Sequence, residues 1–297
     1  MIIILCKCEV CFFSMRQKIG VVDVGGGFRG IYAAGVLDTC IEHNIQFDLG
    51  IGVSAGSANM VSYAAGQKGR NLAFYTEYGR RKQYASMGNF LRKGSYIDLD
   101  YVYSTLSNSD GENPLDYDAI VENPMEVVVV AAEAVSGKTK YFTKRDIHRD
   151  GYDICKASSA IPFVCKPYEI DGIAYYDGAL ADPVPVQLAF DMGCDKVVVI
   201  LTKPAGKTRL PGSDTKLARG IQRKYPVAAE KLRSRADNYN AGVALAKKYV
   251  RLGKALIVAP DDTCGVSTLT RDPEPLKRLY QKGLRDGECI KAFLDME

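Results

Sequence analysis

Two glycine-rich motifs constrain the fold of this chain more than any other feature, because each follows a short apolar run and precedes a stretch with helical spacing. The first motif is GGGFRG at residues 25–30, and the second is GVSAG at residues 52–56. The first can present backbone N–H donors at a helix start, and the second can hold the hydroxyl of Ser54 at the tip of a strand-to-helix turn. Together they predict an acyl-transfer site on an α/β fold.

Length and composition predict one large α/β domain or two smaller ones, since the 297 residues are 47% hydrophobic and 25% charged. Strand-like runs alternate with helical stretches, which predicts a three-layer α/β sandwich with a mainly parallel central sheet and helices on both faces. Turn signals at residues 136–138 and 171–172 predict hairpins, so part of the sheet is expected to be antiparallel. No internal repeat or long linker interrupts the chain, which favours a single domain over residues 15–297. The predicted strands are Ile19–Val24, Leu49–Val53, Glu126–Ala134, Lys140–Thr143, Val164–Ile170, Ile173–Tyr176, Lys196–Thr202 and Ala255–Ala259.

Residues 1–14 differ from the rest of the chain. Lys7 and Glu9 interrupt their apolar runs and no basic segment precedes them, so they do not read as a cleaved signal peptide. We expect them to be a non-native or disordered extension, with Met15 as the biological start. No apolar run in the sequence approaches the ~18 residues that span a bilayer, so a membrane-spanning segment is not expected.

The nine cysteines are odd in number and mostly scattered, which favours reduced thiols in the cytoplasm over a disulfide framework. Cys6, Cys8 and Cys11 lie close together, but a tetrahedral metal site needs four ligands and no histidine is near them. The sequence therefore predicts no metal site.

The first motif has a competing interpretation, because Gly25, Gly27 and Gly30 also match the dinucleotide-binding fingerprint. Asp48 lies near the distance expected for a ribose-binding acid. That acid belongs at the carboxyl end of the second strand, however, and Asp48 precedes the strand Leu49–Val53. A dinucleotide-dependent oxidoreductase is thus an alternative that explains the first motif and leaves the second unexplained.

The base that would activate Ser54 is predicted to be a carboxylate. The chain has only two histidines, and His148 lies in a polar segment while His43 falls at the end of a predicted helix. A Ser…Asp…His order with an acid after residue 148 is therefore impossible. Among the five Asp-Gly pairs, only Asp177 follows an apolar strand-like run, which predicts that it sits at a buried strand end.

With these three motifs in this order, the sequence resembles the patatin-like phospholipases, and it looks closest to bacterial members. The glycine-rich loop, the G-x-S-x-G turn and the D-G-[GA] motif of that family match residues 25–30, 52–56 and 177–179. ASSAIP at residues 157–162 also looks like the segment that precedes the acid. The resemblance covers about residues 18–202, with Asp182 standing where many members carry asparagine.

The resemblance implies a serine acyl hydrolase that cleaves phospholipid or lysophospholipid esters without a cofactor. A catalytic dyad is expected from Ser54 and Asp177, which would exchange the proton during formation and hydrolysis of an acyl-enzyme. The oxyanion hole is expected from the amides of Gly25, Gly26 and Gly27. Supporting positions are Arg29, Gly30, Gly52, Gly56 and Gly178, with Arg29 bracing the loop or meeting a phosphate.

A lipid substrate is the expected partner, and two segments bear on it. Residues 203–254 contain 14 Lys or Arg against three Asp or Glu, which suits an anionic membrane surface or headgroup and equally a solvated helical face. Residues 74–103 mix aromatic and basic side chains, as in a lid over an acyl pocket or an ordinary amphipathic cap. No nucleic-acid motif accompanies them, and oligomeric state is left open. A catalytically weak lipid-binding regulator is a further alternative.

Overall fold

Strands and helices alternate along the chain, as the apolar runs predict. A computed structural model describes residues 16–212 and 214–296, so the extension predicted for residues 1–14 lies outside the described residues. The strands are β1 Ile19–Asp23, β2 Leu49–Val53, β3 Glu126–Glu133, β4 Thr139–Thr143, β5 Tyr168–Ile170, β6 Ile173–Asp177, β7 Lys196–Ile200 and β8 Ala255–Val258. The α-helices are α1 Ile31–Glu42, α2 Ala55–Ala64, α3 Arg70–Thr76, α4 Met87–Lys93, α5 Tyr117–Glu122, α6 Asp153–Ser159, α7 Val186–Asp191, α8 Asp214–Ile221, α9 Pro226–Arg251, α10 Pro273–Gly287 and α11 Cys289–Leu294.

All eight described strands belong to one sheet, in which the path of hydrogen-bonded neighbours runs β5-β6-β3-β2-β1-β7-β8 and β4 also pairs with β3. The strands β1, β2, β3, β7 and β8 pair in parallel, which places their carboxyl ends at one edge. The strands β4, β5 and β6 are antiparallel to their neighbours. The predicted hairpins at residues 136–138 and 171–172 are confirmed, since they join β3 to β4 and β5 to β6.

Successive strand residues pack into opposite layers, because side chains alternate across a sheet. Val21 belongs to the apolar cluster that includes residues of α1, α2, α6 and α10. Val22 belongs to the cluster that includes residues of α7 and α9. The three-layer α/β sandwich predicted from the sequence is therefore confirmed. In the part of the chain that is described, no helix is both long and apolar enough to cross a bilayer.

One predicted strand is wrong over most of its length. Val164–Ile170 was expected to be extended, but β5 begins only at Tyr168. The preceding residues turn instead, because the amides of Val164 and Cys165 both donate to the carbonyl of Ile161. Phe163 has φ +70° in that turn. Phe163 is exposed and Val164 only partly buried, so the alternation of apolar and polar residues at 164–170 suited this partly exposed turn as well as a strand.

Candidate active site

Ser54 lies at the turn between β2 and α2, where the second motif was expected to place it. Its backbone has φ 57° and ψ −128°, a sparsely populated conformation for a residue with a side chain. Hydrogen bonds hold the turn on both sides. The Ser54 amide donates to Ser158 Oγ at 2.9 Å, and the Ser57 hydroxyl donates to the Ser54 carbonyl at 2.7 Å. Ser57 itself lies inside α2, so it holds the turn from the helix side.

Gly52 and Gly56 are required by close packing around that turn. A Cβ at Gly52 would lie 2.6 Å from the Gly56 carbonyl oxygen, and one at Gly56 would lie 2.4 Å from the Asp23 carbonyl oxygen. Backbone atoms at those distances cannot yield as a flexible side chain could. The two glycines of the G-x-S-x-G motif therefore let β1, β2 and α2 approach closely enough to fix Ser54.

The register of β3 brings Asp177 next to Ser54. Val53, the last residue of β2, pairs with Val130, while Asp177, the last residue of β6, pairs with the next residue, Ala131. Since β4 occupies the other side of β3 at these positions, β2 and β6 meet end to end along one side. Val53, which precedes the candidate nucleophile Ser54, and the candidate base Asp177 thus pair with consecutive residues of the same strand, β3.

Burial governs the electrostatics of Asp177, which is 3% exposed. Removal from water raises the pKa of its carboxyl, while interactions with the Ser54 hydroxyl and the Ala179 amide oppose that rise. The Ala179 amide donates to Asp177 Oδ1 at 2.9 Å. The contact with Ser54 does not satisfy full hydrogen-bond geometry, and such contacts in unliganded sites tighten on substrate binding. A carboxyl with a raised pKa is suited to accept a proton from serine.

The glycine-rich loop turns through three left-handed residues, since Gly25, Gly26 and Gly27 have φ values of 63°, 130° and 61°. Only glycine adopts this succession readily. The amide of Gly25 already donates to Asp23 Oδ1 at 2.8 Å. Within the described residues, the amides of Gly26 and Gly27 donate to no protein acceptor, so these two, unlike the Gly25 amide that was predicted with them, can donate to a bound ligand.

Asp23 and Asn59 shape this loop, although the sequence analysis did not single them out. Asn59 Nδ2 donates to Asp23 Oδ2 at 2.8 Å and to the Gly30 carbonyl at 2.9 Å, so it links both ends of the loop. Burial raises the pKa of Asp23 to about 6. A signal was present in the sequence, because Asp23 interrupts an otherwise apolar strand. Its partner on α2 could be found only from the tertiary structure.

The other supporting residues surround the same turn. Arg29 braces the loop, as Nη1 donates to Thr268 Oγ1 at 3.1 Å, and it also lines the cavity described below. A Cβ at Gly30 would meet the Tyr75 hydroxyl at 2.5 Å, and one at Gly178 would meet the Val130 carbonyl at 2.2 Å. Thr268, which the sequence did not indicate, also accepts the Phe28 amide through its carbonyl at 3.1 Å.

Neither histidine lies at the site. His43 Nε2 is 2.9 Å from Glu288 Oε2 at the end of α1, and His148 is exposed. Asp48 is also remote, since Oδ2 accepts the Ile19 amide at the amino ends of β1 and β2. A ribose-binding acid belongs at the opposite edge, so the dinucleotide interpretation lacks its acid.

Two cavities meet at Ser54, and both are lined by Gly27, Ile161, Thr268 and Leu269 as well. The first, which we call the aromatic cavity, is walled by residues that include Phe28, Phe74, Tyr75, Tyr84, Leu99 and Leu106. The second, which we call the cationic cavity, has a volume of about 240 Å³. Its lining includes Asp177 and the basic side chains Arg29, Lys203, Arg209 and Arg235.

The structure shows where the two segments lie for which the sequence left two interpretations open, residues 74–103 and 203–254. Residues 74–103 form much of the wall of the aromatic cavity. Of the basic segment 203–254, three members face the cationic cavity, namely Lys203, Arg209 and Arg235. Others are solvent-exposed, including Lys207, Lys216 and Lys247. The basic segment thus divides into residues that line the cationic cavity and residues that face solvent.

Comparison with known proteins gives two family matches in different parts of the chain. The model described as "Patatin-like phospholipase" matches residues 24–190, which include every predicted site residue. A second model, described as a domain of unknown function (DUF6363), matches residues 225–294.

Individual relatives cover part of the chain. The uncharacterized protein YjjU of Escherichia coli is 31% identical over 201 residues, which are 63% of this chain and 53% of YjjU. Lysophospholipase NTE1 of Cryptococcus neoformans is 28% identical over 187 residues, which are 62% of this chain and 11% of NTE1. This chain therefore matches about half of one relative and about a tenth of the other. Among solved structures, VipD from Legionella pneumophila aligns with 15% identity and a TM-score of 0.48, covering 95% of this chain and 67% of VipD.

Proposed function

We propose, from the premise that this chain belongs to the patatin-like phospholipase family, that it is a serine acyl hydrolase of lipid carboxylic esters, either phospholipids or lysophospholipids. The observation that carries the proposal is the pairing of Val130 and Ala131 with β2 and β6, which puts Ser54 and Asp177 side by side. The name of the relative NTE1, a lysophospholipase, supports the same substrate class.

In the proposed reaction, Asp177 accepts the hydroxyl proton of Ser54 as Oγ attacks the ester carbonyl carbon. The oxyanion is stabilised by the amides of Gly26 and Gly27, whose orientation is fixed before the reaction. Asp177 then returns the proton to the departing alcohol, which leaves an acyl-enzyme. A water molecule that Asp177 deprotonates attacks the acyl carbon, and the protonated carboxyl restores the hydroxyl of Ser54.

The aromatic cavity is the proposed site of the acyl chain. Its wall consists mainly of apolar and aromatic side chains, and it opens at Ser54, so a chain lying in it would place the ester next to the hydroxyl. Phe28 packs edge-on against Tyr75 and Tyr84, with ring centroids 5.7 Å apart in each pair. Phe28 belongs to the glycine-rich loop, so these contacts pack the wall against that loop.

Peripheral contact with an anionic membrane is proposed for α4. Met87, Phe90 and Leu91 on this helix are 62%, 45% and 81% exposed, and Arg92 and Lys93 follow them directly. Apolar side chains beside basic ones suit the interface of an anionic bilayer.

All six described cysteines are free thiols, which supports the proposed cytoplasmic location.

The test is labelling of the pure protein with a fluorophosphonate probe, followed by mass mapping. We expect one labelled serine, Ser54, and no labelling in Ser54→Ala. The control Ser136→Ala, in the β3–β4 hairpin, should label like the wild type because this side chain is exposed and remote. A folded wild type that binds lipid vesicles but neither labels nor hydrolyses p-nitrophenyl esters would overturn the proposal in favour of a lipid-binding regulator.

A further inference from the structure

The loop between β8 and α10 lies against the glycine-rich loop, although more than 200 residues separate them in the sequence. This β8–α10 loop comprises residues 259–272 and falls within the second family match, the domain of unknown function at residues 225–294. It therefore lies outside the patatin-like match and outside the three motifs. Near its end, Thr268 contacts the glycine-rich loop through both its backbone and its side chain.

Thr268 makes two hydrogen bonds to the glycine-rich loop. Its carbonyl accepts the Phe28 amide at 3.1 Å, and its Oγ1 accepts Arg29 Nη1 at 3.1 Å. The contact is also close, because a Cβ at Gly27 would lie 2.5 Å from the Thr268 carbonyl oxygen and 2.6 Å from its Cγ2. One residue of the β8–α10 loop thus holds the part of the glycine-rich loop that follows Gly27.

Other residues hold the two ends of the glycine-rich loop. Gly25 donates its amide to Asp23 Oδ1, and its carbonyl accepts the Thr202 hydroxyl. At the other end, the carbonyl of Gly30 accepts Asn59 Nδ2. The two residues after Gly25 carry the proposed oxyanion donors, and among the described residues their amides have no acceptor. The orientation of these amides therefore depends on the hydrogen bonds made before and after them.

The side chain of Arg29 lies between Thr268 and Gly26. A Cβ at Gly26 would lie 3.3 Å from Arg29 Nη2, so the guanidinium packs against this glycine. Its hydrogen bond to Thr268 is the sole one that it makes to the described residues, since Nε is buried without a partner. A charged donor that loses its acceptor is destabilised, so removal of the Thr268 hydroxyl should change how the guanidinium packs on Gly26.

Close helix packing fixes the position of the β8–α10 loop. The helix α10 follows this loop and lies on α1, which follows the glycine-rich loop. A Cβ at Gly283 would lie 2.1 Å from the Tyr32 carbonyl oxygen, and one at Gly35 would lie 2.4 Å from the Tyr280 carbonyl oxygen. Within the loop itself, Val266 is buried in the core cluster that contains residues of both helices. The two loops are therefore held together by the packing of the helices that follow them.

We propose that Thr268 is a positioning residue for the oxyanion hole, acting through its hydrogen bonds to Arg29 and the Phe28 amide. The segment 225–294 then completes the active site of the patatin-like part. This inference rests on the proposed hydrolase function and adds a role for a segment to which the three motifs give none. Since the oxyanion exists only during reaction, Thr268 should influence the rate of the chemical steps more than the binding of the ester.

The first experiment measures kcat and KM for p-nitrophenyl butyrate in Thr268→Val, which removes the hydroxyl and keeps a similar size. We expect kcat to fall about tenfold and KM to change less than about twofold, because acylation and deacylation both form an oxyanion. Thr268→Ser keeps the hydroxyl and should restore most of kcat. An unchanged kcat in Thr268→Val, or a loss that Thr268→Ser shares, overturns the proposal.

The matched control for this substitution is Thr263→Val. Thr263 lies in the same loop, and among the described residues it lines neither of the two cavities. Its kcat should equal that of the wild type. An equal loss of kcat in Thr263→Val and Thr268→Val would show a general disturbance of the loop and overturn the specific role of Thr268.

A double substitution tests the route through the guanidinium. Arg29→Met removes the donor to Thr268 Oγ1, so the Thr268 hydroxyl has no partner left on the glycine-rich loop. Adding Thr268→Val to Arg29→Met should then lower kcat by less than about a further twofold, because the two residues act as one unit. A further tenfold loss would show that the hydroxyl acts independently of Arg29 and overturn the proposed route.

The last experiment separates positioning of the oxyanion hole from binding of the ester. An alkyl trifluoromethyl ketone forms a covalent adduct when Ser54 Oγ bonds to its carbonyl carbon, the hydroxyl proton passes to Asp177 and the carbonyl oxygen becomes an oxyanion. Its inhibition constant should rise in Thr268→Val by the same factor as kcat/KM falls. A lysophospholipid should bind Ser54→Ala with the same affinity whether or not Thr268→Val is present.

The outcomes of this experiment are distinguishable. An unchanged inhibition constant in Thr268→Val, or equally weakened binding of the ketone and the lysophospholipid, overturns the role of Thr268. A folded wild type in which Ser54 neither labels with the fluorophosphonate probe nor binds the ketone would instead reject the hydrolase function itself. Urea unfolding of each variant shows whether it is folded under the assay conditions.

Discussion

The two cavities that meet at Ser54 differ in nearly every physical respect. The aromatic cavity is lined mainly by uncharged side chains, with Arg70 as its one charged member among the described residues. The cationic cavity gathers four basic side chains in about 240 Å³. An ester with an apolar acyl chain on one side and an anionic alcohol on the other matches this contrast. In the proposed reaction, the polarity on either side of the Ser54 hydroxyl therefore orients the ester.

The two cavities also come from different parts of the chain. Most of the aromatic wall lies within the patatin-like match, whereas Lys203, Arg209 and Arg235 follow it. The second matched segment, residues 225–294, supplies Arg235 and Thr268 and includes helices on both faces of the sheet. The proposed nucleophile and base and the three later basic residues of the cationic cavity thus lie in separate stretches of sequence.

The largest effect should come from a change beside Ser54, where the two cavities meet. Asp177→Asn removes the proposed base but keeps its size, and we expect kcat to fall by roughly 10²–10⁴-fold for every ester, whatever its alcohol. Steady-state kinetics on p-nitrophenyl and glycerol esters would check this. The matched control is Asp171→Asn, at the other Asp-Gly pair of this hairpin. Asp171 has φ 51°, a backbone conformation that asparagine tolerates. Full activity in Asp177→Asn would contradict the dyad.

The next largest effect should come from a substitution that blocks the aromatic cavity alone. Ala58 lines that cavity on α2, and Ala58→Phe would fill it. We expect at least about a tenfold loss in kcat/KM for esters with a long acyl chain and a much smaller loss for butyrate esters. The preference for a phosphate-bearing alcohol should stay the same. Ala244→Phe, on the exposed side of α9, is the control for a large aromatic substitution. An equal loss for all chain lengths would place the acyl chain elsewhere.

The pH dependence should distinguish the two sides by a smaller factor. Because the pKa of Asp177 is raised, turnover of every ester should increase with pH on the acid side as this carboxyl ionises. Lys203 is protonated only below its pKa of about 8, so kcat/KM for a phosphate-bearing ester alone should fall by roughly three- to tenfold above that pH. The neutral ester and Lys203→Gln serve as controls. A falling limb shared by both esters would assign it to another group.

The smallest effect concerns the backbone strain at Ser54. Ser54 has φ 57°, so Ser54→Gly should relieve backbone strain of about 1–3 kcal/mol, offset by the greater flexibility of glycine in the unfolded chain. We expect a net gain of about 1 kcal/mol in the free energy of unfolding, measured by urea titration. Ser57→Gly, inside α2, should be destabilising instead because it loses a buried hydrogen bond. Destabilisation by Ser54→Gly would show that the turn is unstrained.

Local sequence was sufficient for the architecture and for the positions where chemistry was expected. The alternation of apolar runs indicated a parallel sheet, and the glycine spacing placed Ser54 on a turn that only small neighbours permit. The failure at Val164–Ile170 has a physical cause, since alternating apolar and polar residues occur in a partly exposed turn as well as in a strand. Asn59 and Thr268 were missed, and the contact of Ser158 with Ser54 was not predicted although the segment 157–162 was noted, because these roles depend on partners far away in the chain.

The sequence by itself determined the order of elements, the strained serine turn and the absence of a histidine partner, because these follow from residue types and short spacings. Only the tertiary structure decided that Asp177 lies beside Ser54, since that depends on the register of two strands against β3. It also decided which members of the basic segment face the cationic cavity and which face water. Charge is visible in a sequence, but the direction in which a charged side chain points depends on long-range packing.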